Sequence, residues 1–419
     1  MTGLNSPDVH EPTRSDSFNA LRRCCRPKRI KSNIRQHSFS DMNCKALVIS
    51  ASSAGLPASC PRIGVESGFS SGTVYAQSLR LRALGGLPAS MLACRLLVMA
   101  ASGAPEQMRL SYTGSTSWSP DTGTITFQTS GRMPETKEGF FWEVPTEVKN
   151  VIIKRSTTVN GGFRVGFRSQ DNPLHIIGED RRTSIIYGTD APRWTFTHKV
   201  ADNDKWKYGN VSVLADAVVY VTNLTAQNPR GYNISGYADH SVIHVAACNL
   251  IDTRKGDNNN SDGFIGAAGS SIHDSLISTS DDGIKIYHDI TIVNVTIEQH
   301  RNGAPIQFGW GGESGHAIAA ITNLTIKGVD PNSAYNMAPF TWEAGSRGTR
   351  TVLVNGLFVS LRGKTYNEGQ ARWEPAMLFE LKPKDCTLNM AVFGADIGDL
   401  PYGLRNTNGR ISINGTALP

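Results

Sequence analysis

The sequence predicts an all-β protein, a right-handed parallel β-helix (a solenoid), preceded by a largely irregular N-terminal segment. Three observations predict it. From about residue 140 the chain is a series of short runs rich in Val, Ile and aromatic residues, separated by Gly, Asn and Asp. No long amphipathic helical pattern competes with these runs. A phrase with a polar residue ahead of an apolar one then recurs every 19 to 33 residues, which is typical of solenoid repeats.

The recurring phrase explains how such short strands become stable. A short strand cannot bury an apolar face alone, so stacking repeat on repeat supplies the core and the backbone pairing, while insertions loop out. A β-sandwich has similar strands, but at spacings of about 8–12 residues with hairpin turns. The longer spacing therefore favours the solenoid. The apolar residue of the phrase stands at six positions: Leu224, Leu250, Leu276, Val295, Leu324 and Leu357.

The composition changes near residue 105, which divides the chain into residues 1–105 and 106–419. The first segment holds 13 Lys or Arg against 5 Asp or Glu, and it contains five of the seven cysteines but no tryptophan. Such serine-rich sequence with little periodicity buries too little apolar surface to order itself. We therefore expect an irregular leader. Its basic run at residues 22–29 is interpreted as solvated leader rather than as a localisation signal or a polyanion-binding patch.

The charge of the second segment bears on its partners. The whole chain carries a formal charge of +6, yet residues 106–419 hold 29 Lys or Arg against 31 Asp or Glu. A near-neutral body disfavours nucleic acid as a partner. The apolar run at residues 91–104 resembles a displaced secretory signal, but Arg95 interrupts it and it is too short to span a bilayer. We expect a monomer with neither a nucleic-acid nor a membrane partner.

Sequons for N-glycosylation favour an extracellular protein. They predict a secreted glycoprotein, but in a solenoid an Asn ahead of an apolar strand also has a purely structural explanation, and both interpretations stay open. The body holds two cysteines, Cys248 and Cys386, and the sequence leaves their pairing open. The six sequons begin at Asn210, Asn223, Asn233, Asn294, Asn323 and Asn414.

Three aspartates form the strongest functional pattern, Asp262 and the adjacent pair Asp281 and Asp282. They lie 19 and 20 residues apart, about one repeat, so one turn of a solenoid brings all three carboxylates to one patch of surface. A single Asp-Gly step is often only a turn, but two such steps one repeat apart indicate a site. We expect repulsion between the carboxylates to raise at least one pKa and to leave a proton available for donation. Such a cluster is typical of acid/base chemistry on a sugar.

The sequence around the doubled Asp resembles a known family. Residues 280–298, which contain Asp-Asp-Gly-Ile-Lys-Ile-Tyr-His, and residues 302–310, which end in Gln-Phe-Gly-Trp, are similar to glycoside hydrolase family 49, the dextranases and isopullulanases. Residues 144–151 and 158–165 resemble the start of that family's β-helix, so the resemblance covers about residues 106–419. Members begin with a β-sandwich domain, and the leader of this chain lacks its tryptophans and strand rhythm.

The resemblance implies an inverting, endo-acting hydrolase of the α-1,6-glucosidic bonds of dextran, a polysaccharide substrate, and it implies no cofactor. Asp281 matches the general acid, and Asp262 with Asp282 match the pair that holds the nucleophilic water. Inversion needs carboxyl groups roughly 6.5–9.5 Å apart to admit that water. Four further residues are expected to bind substrate: Lys285, Tyr287, Gln307 and Trp310.

Several alternatives stay open. An isopullulanase would act on pullulan, because linkage choice depends on loop geometry. A pectin hydrolase of the polygalacturonase type also uses three aspartates around an Asp-Asp pair, but residues 315–317 match its Gly-His-Gly only in part. A non-catalytic, glycan-binding β-helix would not need the carboxylate cluster. A calcium site could use the same acids, but no loop of alternating ligands surrounds them, so no metal is expected.

Overall fold

The structure is a computed structural model, and it describes the greater part of the second segment. The leader at residues 1–105 lies outside the described residues, so its predicted irregularity stays a prediction. Among the residues described, no helix is long and apolar enough to cross a membrane. The described ranges are 111–137, 139–192, 195, 207–254, 261–300, 302–329, 334–335, 337–361, 364–367 and 372–418.

Within these ranges the chain forms 33 β-strands and no α-helix. The first seventeen are β1 Thr116–Ser119, β2 Thr124–Phe127, β3 Gly131–Arg132, β4 Glu135–Thr136, β5 Gly139–Val144, β6 Asn150–Ile153, β7 Thr157–Asn160, β8 Gly162–Val165, β9 Leu174–Gly178, β10 Ser184–Tyr187, β11 Val211–Val213, β12 Ala217–Thr222, β13 Thr225–Gln227, β14 Tyr232–Gly236, β15 Ser241–Ala246, β16 Asn249–Ile251 and β17 Asp262–Ile265. The others are β18 Ser270–His273, β19 Leu276–Ser278, β20 Ile284–Lys285, β21 Ile290–Gln299, β22 Ile306–Gly309, β23 His316–Gly328, β24 Ala334–Tyr335, β25 Phe340–Trp342, β26 Gly348–Ser360, β27 Lys364–Asn367, β28 Arg372–Pro375, β29 Phe379–Leu381, β30 Cys386–Asp396, β31 Gly403–Arg405, β32 Ile411–Ile413 and β33 Thr416–Ala417.

Most strands pair in parallel with the strand that holds the same place one repeat away. One sheet, here called the site sheet, has the order β4-β5-β8-β11-β14-β17-β20-β22-β25-β29-β31. A second sheet of 19 strands contains two such rows, which the long strands β21, β23, β26 and β30 join. The antiparallel pairs of the described part are β1–β2, β4–β5, β27–β28 and β32–β33. The prediction of an all-β protein with parallel sheets is therefore confirmed.

A continuous stack of β-branched side chains forms the inner face of the 19-stranded sheet. Strand alternation places every second residue on this face. In-register pairing then stacks the Val and Ile residues of successive repeats on one another. Each member is 4% exposed or less, and full burial of such a side chain stabilises the fold by about 1.5–3 kcal/mol. The stack runs through Ile125, Val151, Ile176, Val221, Val245, Ile272, Ile292, Ile321, Val354, Val392 and Ile413.

Asparagine marks the corner at which the chain passes from one row of the 19-stranded sheet to the other. Asn223, Asn294 and Asn323 each have a φ between 52° and 55°, in the left-handed region. Asn tolerates this region better than most residues, because its short amide bonds to nearby backbone. Gly356 has a φ of 81° at the same corner of a later repeat. The residue directly before the apolar residue of the recurring phrase is therefore a corner residue in these four repeats, as Asn in three of them and as Gly in the fourth.

The register of the recurring phrase is confirmed in its later part and wrong in its middle. Val295 pairs with Leu324, which in turn pairs with Leu357. In contrast, Leu250 pairs with Ala226 rather than with Leu224 on one side, and with Ile277 rather than with Leu276 on the other. The repeat that contains Leu276 shows the cause. The corner of that repeat lies at Asp274, φ 51°, one residue earlier than the phrase places it. Ile277 consequently takes the buried position, and Leu276 is half-buried.

The sequon asparagines all have hydrogen-bonding roles within the fold. Asn210 and Asn233 are completely buried. The Asn323 amide donates to Asn294 Oδ1 at 2.9 Å, and the Asn294 amide donates to Asp274 Oδ1 at 2.9 Å. The other sequon amides donate to backbone or side-chain oxygens of neighbouring repeats. The structural explanation therefore holds for these asparagines, and the predicted glycosylation and secretion stay predictions.

The two cysteines of the described residues do not pair. Both Cys248 and Cys386 are buried free thiols. Each lies near backbone carbonyls, with Cys248 Sγ 3.4 Å from Val221 O and Cys386 Sγ 3.3 Å from Ser346 O. Burial raises the pKa of each thiol to about 11. Both cysteines therefore act as small core side chains rather than as a cross-link.

Candidate active site

Pairing between β17 and β20 brings two of the predicted aspartates together. Phe264 pairs with Ile284, so Asp262 and Asp282 hold the same position of neighbouring repeats. The Gly263 amide donates to the Asp282 carbonyl at 2.8 Å, which ties the two Asp-Gly steps directly. The sequence analysis predicts that the 20 residues from Asp262 to Asp282 form about one repeat. In the structure these 20 residues form one repeat.

Close backbone contacts explain why a glycine follows each of these aspartates. A Cβ on Gly263 would lie 2.3 Å from the Gly283 carbonyl oxygen, and a Cβ on Gly283 would lie 2.6 Å from the Pro305 carbonyl oxygen. Real Cβ atoms do not approach backbone so closely. Neither glycine needs a left-handed φ, so close approach rather than turn geometry requires them. Close packing of the backbone therefore accounts for the glycine of each Asp-Gly step.

Lys285 lies at the centre of the carboxylate cluster. Its Nζ is 3.0 Å from Asp262 Oδ1, and it also donates to Asp282 Oδ2 and, at 3.1 Å, to Gln307 Oε1. The Lys285 side chain is 7% exposed. A buried ammonium with carboxylates from two successive repeats fixes the position of both. The expected repulsion between carboxylates is thus offset by a positive charge that the sequence analysis assigned to substrate binding.

Gln307 and the backbone complete the surroundings of Asp282. Gln307 Nε2 donates to Asp282 Oδ2 at 2.5 Å, and the Ala304 amide donates to Asp282 Oδ1 at 2.9 Å. Tyr287 donates its hydroxyl proton to Gln307 Oε1. Both Asp282 oxygens therefore accept hydrogen bonds. Gln307 is completely buried, so in this arrangement it orients Asp282, and its predicted contact with substrate stays a prediction.

Asp281 has a different environment from the other two aspartates. It is half-buried, whereas Asp262 and Asp282 are buried. Its amide donates to the Ser261 carbonyl at 3.1 Å, and its Oδ1 accepts from the Asp282 amide at 3.1 Å. Lys285 Nζ contacts the carboxylates of Asp262 and Asp282. The most accessible carboxylate of the cluster is therefore the one that matches the general acid.

The cluster perturbs the ionisation of its neighbours. Burial lowers the pKa of Lys285, but the Asp262 and Asp282 carboxylates outweigh it and raise that pKa well above its ordinary value. Burial raises the pKa of Tyr287 well above its ordinary value, and the Lys285 charge opposes this. Tyr237 behaves in the same way, with burial as the main cause of a raised pKa. Lys285 is therefore charged and the two tyrosines are neutral hydrogen-bonding groups near neutral pH.

The three carboxylates lie close together. One oxygen from each of Asp262, Asp281 and Asp282 lies within 4.8 Å of the others. In-register pairing brings Asp262 and Asp282 together, because neighbouring strands lie about 4.8 Å apart and the two aspartates hold equivalent positions. The separation of roughly 6.5–9.5 Å expected for inversion is one between the whole carboxyl groups of the acid and the base, so it stays a prediction.

Aromatic side chains surround the cluster on the upstream side, and the sequence analysis missed them. Tyr232 pairs with Asp262 one repeat earlier. Lys285 Nζ lies 5.6 Å from the centre of the Tyr232 ring and 5.9 Å from that of Tyr287, within the range of cation–π attraction. Tyr237 packs edge-on against Tyr232, with ring centres 6.0 Å apart. Counting one repeat back from Asp262 would have found Tyr232.

Trp310 follows β22 and begins a turn, in which the Glu313 amide donates to its carbonyl at 3.2 Å. Its side chain is half-buried, which leaves part of the indole for a ligand. Trp342, by comparison, is completely buried and packs against Phe308, with ring centres 5.9 Å apart. Of these two tryptophans, Trp310 is thus the one with exposed surface, and sugar stacking on it stays a prediction.

Arg350 holds the backbone beside these residues from within the protein. The completely buried guanidinium donates to the carbonyls of Ile286 at 2.7 Å, Phe308 at 3.0 Å and Gly315 at 2.9 Å. Ile286 directly precedes Tyr287. Three strand ends therefore depend on one cation, and only the three-dimensional arrangement reveals it, since Arg350 lies on β26, two repeats after β21.

The donor set of the cluster also suits a hard cation in principle. Carboxylate oxygens are the ligands that calcium and magnesium prefer, and the three aspartates can each offer one. However, Lys285 Nζ already contacts Asp262 and Asp282. A metal ion would have to lie beside this ammonium or displace it, and the like charges repel. The residues present therefore fit an internal ion pair better than a metal centre.

Comparison with known protein families and with curated proteins found no match for this chain. The resemblance around the doubled Asp thus rests on the motif residues themselves. The features that bear on chemistry are the three carboxylates, the ammonium between two of them and the half-buried Trp310 nearby.

Gly303 is a further residue on which the site depends, and Gly303→Ala tests this. Gly303 has a φ of 82°, and a Cβ there would lie 2.1 Å from the Asp281 carbonyl carbon. We expect the variant to lose about 1–3 kcal/mol of unfolding free energy from backbone strain. For the glycoside hydrolysis that the resemblance implies, we expect a loss of about tenfold or more in kcat from displacement of Asp281. Denaturant titration and steady-state kinetics measure the two effects.

Gly166→Ala is the matched control, because a Cβ on Gly166 would meet no atom within 4 Å. It should leave both quantities near the wild-type values. Wild-type behaviour of Gly303→Ala would show that Asp281 tolerates displacement.

Proposed function

We propose that the protein is a right-handed parallel β-helix and an inverting, endo-acting glycoside hydrolase of the α-1,6-glucosidic bonds of dextran. The observation that carries the proposal is the division among three carboxylates. One is half-buried, and two are buried and bonded to a shared ammonium. General acid/base hydrolysis of a glycoside needs one carboxyl group that donates a proton and another that activates water. The in-register parallel rows support the β-helix.

Asp281 is proposed as the general acid. A general acid must reach the glycosidic oxygen of the substrate, and Asp281 is the most accessible of the three aspartates. Protonation of the leaving-group oxygen by such a residue typically contributes 10²–10⁴-fold, roughly, to the rate. Asp281 would then be the residue whose proton the reaction consumes.

Asp262 and Asp282 are proposed to hold and activate the water. Lys285 holds both carboxylates in place, since its ammonium lies within hydrogen-bonding distance of each. The Asp282 oxygens already accept hydrogen bonds from Ala304, Gln307 and Lys285. A carboxylate so engaged attacks carbon poorly but can still orient a water molecule. This engagement supports inversion over a covalent route.

Substrate recognition is proposed to combine one aromatic surface with polar groups. Trp310 presents partly exposed indole on which the C–H face of a glucose ring can stack. Tyr287 and Lys285 lie beside the acidic cluster on the same strand segment. Gln307 acts through its bonds to Asp282 and Tyr287. The polysaccharide would therefore cross the site sheet next to β20 and β22.

The substrate class is tested by incubating the full chain with dextran, pullulan and polygalacturonate and identifying the products. We expect isomalto-oligosaccharides from dextran. Polygalacturonate belongs in the panel because an Arg-x-Lys triplet, which that class of enzyme uses for the uronate carboxylate, occurs at residues 362–364. Cleavage of polygalacturonate alone would replace the proposal with a pectin hydrolase. Binding to dextran without any product would instead favour a glycan-binding protein.

The stereochemistry of the product gives a sharper prediction. An inverting enzyme releases the β-anomer from an α-linked glucan, and proton NMR in the first minutes of reaction distinguishes it from the α-anomer before mutarotation. We expect the β-anomer first. The α-anomer first would contradict inversion. It would instead indicate a carboxylate nucleophile and a covalent intermediate, the route of enzymes whose two carboxyl groups lie roughly 5–5.5 Å apart.

A further inference from the structure

A further acidic residue outside the cluster, Asp252, has a completely buried side chain. Arg254 clamps it with two parallel bonds, Nε to Oδ1 at 2.9 Å and Nη2 to Oδ2 at 2.6 Å. Ser261 Oγ donates to the same Oδ2 at 2.5 Å. The side chains of this ion pair are 5% and 0% exposed. Bidentate geometry and burial together make this one of the most constrained contacts of the described residues.

Arg254 extends the constraint to two other segments of the chain. Its Nη1 donates to the Ala191 carbonyl at 2.8 Å, and its Nη2 donates to the Pro229 carbonyl at 2.8 Å. Asp252 in turn receives the Arg254 amide at 2.9 Å. The guanidinium therefore satisfies its donors with fixed acceptors, as a buried charge must to avoid a large desolvation cost. Asp252 is thereby fixed as an acceptor for Ser261.

Ser261 connects this fixed group to the candidate catalytic residues. It directly precedes Asp262, and its carbonyl accepts the Asp281 amide at 3.1 Å. One serine thus touches the backbone of one aspartate and is covalently joined to another. We propose that the Asp252–Arg254 pair acts through Ser261 as a positioning device, which sets the separation between the proton donor Asp281 and the water-holding Asp262.

The assignment of a positioning device rests on the proposed hydrolase function. Burial decides whether Ser261 and Asp252 are catalytic or positioning residues. Ser261 is completely buried and Asp252 is 3% exposed, so neither reaches a polysaccharide. They are positioning residues and not catalytic ones. A positioning role predicts a specific kinetic signature: misplacement of a reacting group lowers kcat, while remote substrate contacts, and hence KM, change little.

The test is Ser261→Ala in the full chain. kcat and KM are measured with dextran as substrate, and the thermal midpoint of unfolding is measured on the protein alone. Loss of the hydroxyl removes the hydrogen bond from residue 261 to Asp252. The backbone carbonyl that accepts the Asp281 amide is kept. We expect kcat to fall about 10- to 100-fold, with KM within about twofold of wild type.

Ser270→Ala is the matched control. Ser270 is also buried, and its Oγ accepts one backbone amide, that of Ile243 at 3.0 Å, in the other sheet. We expect it to lower the thermal midpoint as much as Ser261→Ala but to leave kcat unchanged. Equal loss of kcat in both variants, or wild-type kcat in Ser261→Ala, would overturn the positioning role while the hydrolase stands. A wild-type chain that cleaves none of the glucans would overturn the hydrolase and this inference together.

Discussion

Asp281→Asn is expected to lower kcat for dextran by roughly 10²–10⁴-fold without unfolding the protein. The amide cannot donate the acidic proton, but its Oδ1 can still accept the Asp282 amide, which Asp281 accepts at 3.1 Å. The thermal midpoint should therefore stay near that of wild type. An aryl isomaltoside with a good leaving group needs little protonation, so the variant should be much less impaired on it than on dextran.

The comparison between the two substrates separates the acid from the water-holding residues. Asp282→Asn should lose activity on both, because water activation is required for either leaving group. Asp289→Asn is the control from the same segment, since Asp289 is exposed and accepts the Ile318 amide at the surface, and it should behave as wild type. If Asp281→Asn kept more than half of its kcat on dextran, another group would have to be the acid.

Lys285→Met is expected to have the largest effect on stability. Removal of the ammonium leaves Asp262 and Asp282 as uncompensated buried charges, which typically costs about 3–5 kcal/mol. Activity on dextran should be lost at the same time, because the carboxylates no longer hold a defined position. Denaturant unfolding at neutral pH measures the stability, and kinetics on folded protein measure the activity.

Lys382→Met is the matched control, because Lys382 lies 2.6 Å from Glu343 and 3.2 Å from Glu380 on the same sheet. Its side chain is 26% exposed against 7% for Lys285. Solvent therefore screens the remaining charges, and a smaller loss of stability with retained activity is expected. An equal loss in the two variants would contradict a special role for Lys285.

The pH dependence of the Lys285 effect follows from the direction of its pKa shift. The folded-state pKa is raised above the ordinary value of 10.5. A raised pKa means that the stabilisation is fully present below the unfolded value and is lost as the pH rises through the folded one. The stability difference between wild type and Lys285→Met should therefore stay constant from neutral pH up to about pH 10. A decline that begins near pH 8 would contradict the ion-pair arrangement.

The fold class and the meeting of the aspartates could be predicted because both depend on local periodicity. Alternation of β-branched residues marks the strands, and the step from Asp262 to Asp282 equals one repeat, as the pairing of Phe264 with Ile284 shows. Corner positions were harder, since an Asp can replace an Asn in the left-handed region. The phrase therefore placed Leu276 where Ile277 is buried.

The roles of Lys285 and Asp252 could not be predicted, because they depend on what covers the outer face of a strand. Alternation places Lys285 on the face opposite Ile284, where sequence reasoning expects solvent or substrate. In the structure it is buried between Asp262 and Asp282. Asp252 and Ser261 are in contact, but the residues between them in the chain have no periodicity that would predict this contact. Contacts of this kind follow from tertiary packing rather than from spacing.

The equivalence of Asp262 and Asp282 across one rung has a consequence for how the chain can vary. Their separation is set by the hydrogen-bond repeat of the polypeptide backbone, about 4.8 Å, and not by the length or conformation of any loop. Phe264 and Ile284 keep that rung closed on the core side. Loops of other repeats can therefore lengthen or shorten without changing the distance between the two carboxylates. A single residue inserted between Gly263 and Gly283 would have to be expelled from the coil, or the two groups would lose their common position.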